Sequence, residues 1–214
     1  MDCSINKIKG RWERRKEARP QELLAAALDL LVERGYATTR LDDVAAKAGV
    51  SKGTLYLYFA NKEELFKAVV REHIVPAIGR AEQTIEQYQG SSRNLLQEIL
   101  LGRWEQVGNT KLSGIMKLIV AESGNFPEIA KFYHDEVILR GNALITKAIQ
   151  RGVESGEFHQ IDAVQATQVI AAPIIMLILR KHSFDTCGSE PISPDTYLET
   201  FLNLLFQGLV VRPA

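Results

Sequence analysis

Apolar residues recur along this chain at three- and four-residue spacing and nowhere alternate with a period of two, so the pattern predicts helices throughout and no strand. The first helix opens at Pro20, which suits a first turn. It carries Leu23, Leu24, Ala27, Leu28 and Leu31 on one stripe and stops at Gly35. Tyr36 follows in the connection as core filler. Thr39, read as an N-cap, starts a second helix at Arg40, with Asp42 in its first turn and Leu41, Val44, Ala45 and Ala48 on one face before Gly49 ends it. Val50 turns inward, and Ser51 caps a third helix from Lys52 to Phe59, where Leu55 and Phe59 fall four apart on the inner side. Two helices joined this tightly must cross at a steep angle.

Asn61 and Glu64 make a capping-box pattern that opens a fourth helix at Lys62. Its stripe of Leu65, Phe66, Val69 and Val70 continues through Ile74 and Ile78, and Pro76 is expected to kink or break it. Beyond Gly90-Ser91-Ser92 the periodicity predicts helices over Ser92 to Val107, Leu112 to Glu122 and Glu128 to Glu154, the last with Pro127 at its start and Gly156 at its close. Asp162 caps the next, Ala163 to about His182, which is apolar almost all round, and Pro194 to Leu209 forms the last. These final two helices carry more apolar surface than one subunit covers, which suggests a two-fold homodimer. The expected architecture is all-α. A basic arm (1–19) precedes a three-helix helix-turn-helix unit (20–75), and a helical bundle for effector binding and dimerisation follows (76–214).

The 214 residues are 46% hydrophobic and 24% charged, as in an ordinary globular chain, and the formal net charge is zero. Taken alone, neutrality argues against a nucleic-acid partner, but the charge is uneven. Met1 to Glu72 holds 14 Lys+Arg against 11 Asp+Glu, and seven of those cations (Lys7, Lys9, Arg11, Arg14, Arg15, Lys16, Arg19) fall in the first twenty residues. That arm reads as a phosphate contact or as a frayed tail. No apolar run follows it, so no secretory signal is expected. The longest greasy stretch, Val169 to Leu179, is interrupted by Pro173 and too short to span a bilayer. Cys3 and Cys187 suit neither a disulfide framework nor a metal site, which places the chain in a reducing cytoplasm.

The third helix holds the informative chemistry. Its outward residues are Lys52, Gly53, Thr54, Tyr56 and Tyr58, with no acid among them. An ammonium, hydroxyls and phenols on a short helix suit phosphate oxygens and base edges in a major groove, and Gly53 lets the backbone approach closely. The partner this implies is double-stranded DNA. The segment GVSKGTLYLYFANKEELF, Gly49 to Phe66, resembles the signature of the TetR family of one-component regulators, and the resemblance covers about the first third of the chain. By that resemblance Lys52, Gly53 and Thr54 sit closest to bases, Thr39, Arg40, Tyr56, Tyr58 and Lys62 position phosphates, and Ser51 caps. Leu57 departs from the family pattern; it touches a thymine methyl or faces an apolar neighbour. Packing is the competing role for Tyr56 and Tyr58.

The resemblance further implies a repressor that binds a pseudo-palindromic operator as a dimer through its last two helices. It also implies a small-molecule effector, bound among the helices after the fourth, that releases the DNA. Large bundle residues form the candidate pocket: Trp104, Met116, Phe126, Phe132, Tyr133, His134 and Met176. Core packing competes for each of them, and a plain surface position competes for His134. No catalytic triad, zinc-ligand or phosphate-loop pattern occurs, so neither an enzyme nor a metal or cofactor is expected. The rival from another class is a helical ligand-binding or adaptor module that has lost DNA binding.

Overall fold

The computed structural model describes residues 20–184 and 192–211. The basic arm, Cys3 and Cys187 therefore lie outside the described residues. What is described divides into two compact units between His73 and Ile74.

The first unit holds α1 (residues 20–34), α2 (Leu41–Lys47), α3 (Lys52–Tyr56) and α4 (Lys62–His73). Gly35 takes φ +87° at the end of α1 and Gly49 takes φ +68° after α2, a region side chains rarely adopt. At the second stop the Val50 amide donates to the Ala45 carbonyl and the Gly49 amide to that of Ala46, a Schellman closure that turns the chain toward α3. Leu23, Leu28, Leu55, Leu65, Phe66 and Val70 are buried here, and Tyr36 packs edge-on to Phe66 at 5.7 Å, the core role expected of it.

Two boundaries differ from the sequence reading. The N-cap of α2 is Arg40, without a side-chain cap, because Thr39 turns inward and its hydroxyl donates to the carbonyls of Leu30 (3.2 Å) and Gly35 (2.7 Å). Thr39 satisfies the end of one helix rather than the start of the next. α3 is also shorter than expected, and Leu57 and Tyr58 form a turn after it.

In the second unit α5 (Val75–Gln87) holds Pro76 in its first turn, so the chain breaks at Ile74 instead of running on through Ile78. α6 (Ser92–Arg103) is capped by Ser91. α7 (Ser113–Glu122), α8 (Pro127–Tyr133), α9 (Leu139–Glu154), α10 (Ala163–Leu179) and α11 (Pro194–Leu209) follow. Three wider π-helical turns interrupt the expected pattern: Trp104–Gly108 after α6, His134–Ile138 between α8 and α9, and Arg180–Phe184 after α10. α9 packs on α6 and α10, and α10 packs also on α7 and α11, around Leu95, Leu96, Leu100, Ile145, Ile149, Ile174 and Ile178.

The one non-helical pairing among the described residues is an isolated bridge between Phe158 and Val210. Beside it the Glu157 carboxylate accepts the Ser92 amide at 2.9 Å, tying the start of α6 to the α9–α10 connection. The bilayer expectation needs correction, because the helical run Ala163–Phe184 is 22 residues and contains an 18-residue window of mean hydropathy 1.6, by length and composition enough to cross one. Pro173 interrupts the greasy stretch in sequence but lies inside the helix without ending it. Its inner face, including Ile170, Ile174 and Ile178, belongs to the bundle core.

Candidate DNA-reading helix and effector cavity

α3 starts as the sequence predicts. Ser51 Oγ accepts the Thr54 amide at 3.1 Å and lies 2.8 Å from the Thr54 hydroxyl, so cap and first turn lock together. Leu55 is fully buried and Phe59 nearly so, which fixes the opposite side outward. There Lys52 and Gly53 are exposed, and Tyr56 (47%), Leu57 (84%) and Tyr58 (38%) form a projecting ridge. An 84% exposed leucine has no apolar neighbour to satisfy it, which removes one of its two roles. Arg40 is exposed beside the ridge sequence, at the α2 cap.

Three expectations change in space. Lys52 donates to Asp42 of α2 at 2.9 Å, so a ridge free of acid in sequence carries a carboxylate in three dimensions. That hydrogen bond and the charge of Asp42 raise the Lys52 pKa and keep it cationic. Thr39 is 2% exposed with its hydroxyl engaged as above, so its side chain does not reach a phosphate. Lys62 donates to the carbonyls of Tyr36 (2.8 Å) and Ala37 (3.1 Å) and sits 4.5 Å over the Tyr36 ring, a tie between α4 and the α1–α2 connection rather than an outward cation.

The second unit encloses a cavity of about 390 Å³, within the range of small-molecule sites. Its walls are mostly aliphatic and come from α5 through α10. Of the seven expected pocket residues, Met116 and Tyr133 line it. Trp104 is buried against Gly108, where a methyl would collide with its ring, and Phe132 is buried elsewhere in the unit. Phe126 caps α8 away from the cavity wall. His134 is exposed and pairs with Asp135 at 3.0 Å, and Met176 is 48% exposed on the outside of α10. Arg80, Thr84, Glu98, Arg103 and Gln106 line the cavity and were not anticipated. Arg103 carried a readable signal: it lies four residues after Ile99 and seven after Leu96, on the buried stripe of α6.

Beside the cavity Arg140 grips Glu82 with two hydrogen bonds of 2.9 and 2.7 Å, joining α9 to α5 and holding the Glu82 carboxyl below its ordinary range. Arg103 has no such partner. Burial lowers its pKa, and the Tyr133 phenol partly offsets that. Burial pushes Tyr133 itself up to about 12, so it stays a neutral phenol.

Two short helices, joined by a Schellman turn at Gly49 and a Ser51 cap and carrying an outward ridge, are the geometry of a helix-turn-helix. Residues 23–69 match the family described as bacterial regulatory proteins, tetR family, and residues 94–185 match the AefR-like transcriptional repressor C-terminal domain, together more than half of the chain. The chain belongs to the TetR family. Its function is DNA-binding transcriptional regulation. The fatty acid metabolism regulator protein of Bacillus subtilis is 29% identical over 163 residues, which is 74% of this chain and 82% of that one. The transcriptional activator FasR of Mycolicibacterium smegmatis is 37% identical over 70 residues, 33% of this chain and 32% of its own.

Among solved structures, a transcriptional regulator from Saccharomonospora viridis in complex with choline superposes with TM-score 0.77 at 23% identity, covering 92% of this chain and all (100%) of that one. FadR from Bacillus subtilis in complex with stearoyl-CoA superposes with TM-score 0.67 at 22% identity, covering 88% and 98%. At such identities these likenesses establish the fold.

Proposed function

We propose that this TetR-family chain is a cytoplasmic homodimeric repressor that leaves a pseudo-palindromic operator when a small molecule occupies the cavity of its second unit. The observation that supports this most is the exposed ridge from Lys52 to Tyr58 on a capped, internally buttressed α3. Lys52, Gly53 and Thr54 would meet base edges, Arg40, Tyr56 and Tyr58 the phosphates, and Leu57 a thymine methyl. Thr39 and Lys62 would act by holding this frame. The arm of residues 1–19 would add phosphate contacts, and we place the functional boundary at 75/76, two residues beyond the structural division.

Dimerisation is inferred from α10 and α11. Val164 (55%), Val169 (72%), Met176 (48%) and Leu204 (67%) are exposed apolar side chains on these two helices, the kind of surface a two-fold partner covers. A dimer would double the contacts of a reading head that is weak alone. The AefR-like match favours repression, while the activator FasR is similar over only 33% of this chain. Choline and stearoyl-CoA, bound by two structural neighbours, differ in charge and size, so the ligand class has to be read from this chain's own cavity.

Binding of the purified full-length protein to its own promoter region, followed by fluorescence anisotropy over a salt series, tests the reading. Saturable binding that weakens steeply with rising salt is expected. The absence of binding at low salt would instead support an adaptor that has lost DNA affinity.

A further inference from the structure

Arg103 is the last residue of α6 and lines the cavity of the second unit. Its Nη1 is buried and has no hydrogen-bond partner among the described residues. A guanidinium cannot shed its charge in a protein, so burial without a partner carries a cost that a counter-charge or a strong acceptor would relieve. The acids nearby do not provide it. Glu82 is held by Arg140, and Glu98, exposed on α6, accepts the Tyr88 hydroxyl at 3.1 Å. The walls around Arg103 are mostly aliphatic, and the other polar side chains of the lining are neutral or engaged: the Tyr133 phenol, the Thr84 hydroxyl donating to the Arg80 carbonyl, and the exposed Arg80 guanidinium donating to Gln106 Oε1 at 3.4 Å.

A cavity with one unmatched buried cation at one point and hydrocarbon along its sides selects its occupant by charge and by polarity. A cationic ligand would meet repulsion, and a neutral apolar one would leave Nη1 unsatisfied. We propose that this cavity binds an apolar carboxylic acid in its ionised form, with the carboxylate accepting hydrogen bonds from Arg103 and the hydrocarbon lying along Ile78, Ile85, Ile99, Leu144 and Ile178. Arg140 and Glu82 form a positioning pair: their bond joins α5 to α9 next to Ala81 and Gly141, which line the same cavity. The inference rests on reading the second unit as the effector-binding one.

Isothermal titration of the full-length protein with decanoate, decan-1-ol and decyltrimethylammonium, three probes that share one chain length, tests the head-group selection. Decanoate is expected to bind at least about tenfold more tightly than the alcohol, the effect of a charge-assisted hydrogen bond, and the quaternary ammonium most weakly. Arg103→Met, which keeps the length of the side chain and removes its charge, is expected to erase the preference for decanoate over decan-1-ol. Equal or tighter binding of the alcohol or the cation by the wild-type protein overturns the proposal, as does a preference that survives in a folded Arg103→Met variant. If that variant does not fold, the order of the three probes on the wild type decides alone. Repeating the titration with promoter DNA present separates the two readings. Decanoate that binds in the expected order without changing DNA affinity removes its role as effector and leaves the carboxylate site standing. DNA binding by a protein that ignores decanoate removes the carboxylate site and leaves the regulator.

Discussion

The two units of this chain are held together by different kinds of information. In the first, nearly every boundary is set by residues within a few positions of it: Gly35 and Gly49 in left-handed conformations, Ser51 on the Thr54 amide, Asn61 on the Glu64 amide at 2.9 Å. In the second, the decisive contacts join residues far apart in sequence, such as Glu157 with Ser92 and Arg140 with Glu82. A reading head needs a fixed shape, and local caps and turns supply one. A unit with a cavity must keep space open against collapse, and only long-range ties can hold its walls apart.

The largest effects should therefore fall on the second unit. Phe158 is 2% exposed, its amide donates to the Gly152 carbonyl at 2.9 Å, and its ring fills the place a side chain at Gly152 would take. Phe158→Ala is expected to cost about 3–5 kcal/mol in urea denaturation. Ser51→Ala, which removes a single local cap in the first unit, should cost about 1 kcal/mol. Similar losses for the two variants would break the contrast between locally and globally determined units.

The same contrast explains what the sequence made legible. The all-helical class, three of the caps (Ser51, Asn61, Asp162) and the inward faces of α1, α3 and α4 follow from spacing and capping chemistry, which act over one or two turns. The cavity does not. Arg103 immediately precedes one π turn and Tyr133 another, and each wider turn rotates the following residues by roughly one position relative to a 3.6-residue repeat. Side-chain size selected Trp104 and Phe132, which fill the core, and uniform periodicity overlooked Gln106 and Val107, which reach the cavity from within the first π turn. On the reading head the failure was spatial: no local pattern announces that Asp42, ten residues before Lys52, would lie 2.9 Å from it.

That pair offers the next test. Because Asp42 and DNA would compete for the same ammonium, Lys52→Ala should weaken operator binding roughly tenfold, while Asp42→Ala should strengthen it. Both substitutions should leave the unfolding midpoint close to that of the wild type, since an exposed pair contributes little to stability. A large loss of stability in either variant would make the pair a structural tie and blunt the distinction between frame and contact.

A smaller effect belongs to Glu157. Burial alone would raise its pKa, but the amides of Ser92 and Arg93 and the Ser155 hydroxyl, all donating to the carboxylate, bring it below the ordinary value. A depressed carboxyl stabilises the fold above the unfolded pKa of about 4.3, and that contribution is lost as pH falls through the lower, folded value. Glu157→Gln should cost about 1 kcal/mol at neutral pH and flatten the acid limb of the stability profile. An unchanged acid limb would mean that the Glu157 carboxylate does not hold the start of α6 to the α9–α10 connection.

The smallest effect, and the most selective in pH, is at His182. Its Nε2 lies 2.7 Å from Ser113 Oγ, and that hydroxyl donates its single proton to the Thr110 carbonyl at 2.7 Å. Ser113 must therefore accept from His182, which fixes the neutral imidazole with its proton on Nε2. Burial lowers the His182 pKa, and the positive charges of Lys181 and Lys117 lower it further. With the folded pKa below the unfolded value of about 6.5, both states are neutral above that pH and stability is unaffected there. As pH falls below about 6.5 the unfolded chain takes up its proton first, so stability declines until the folded value is passed and then levels off. His182→Gln supplies an amide donor for Ser113 and does not titrate. Urea midpoints measured from pH 7.5 downward, values set by the roughly 6.5 reference, should decline for the wild type and stay level for this variant until the carboxylates begin to protonate. Parallel profiles for the two proteins would mean that the folded ring takes up a proton at Nδ1 as readily as it does in water, and that neither burial nor Lys181 and Lys117 sets its titration.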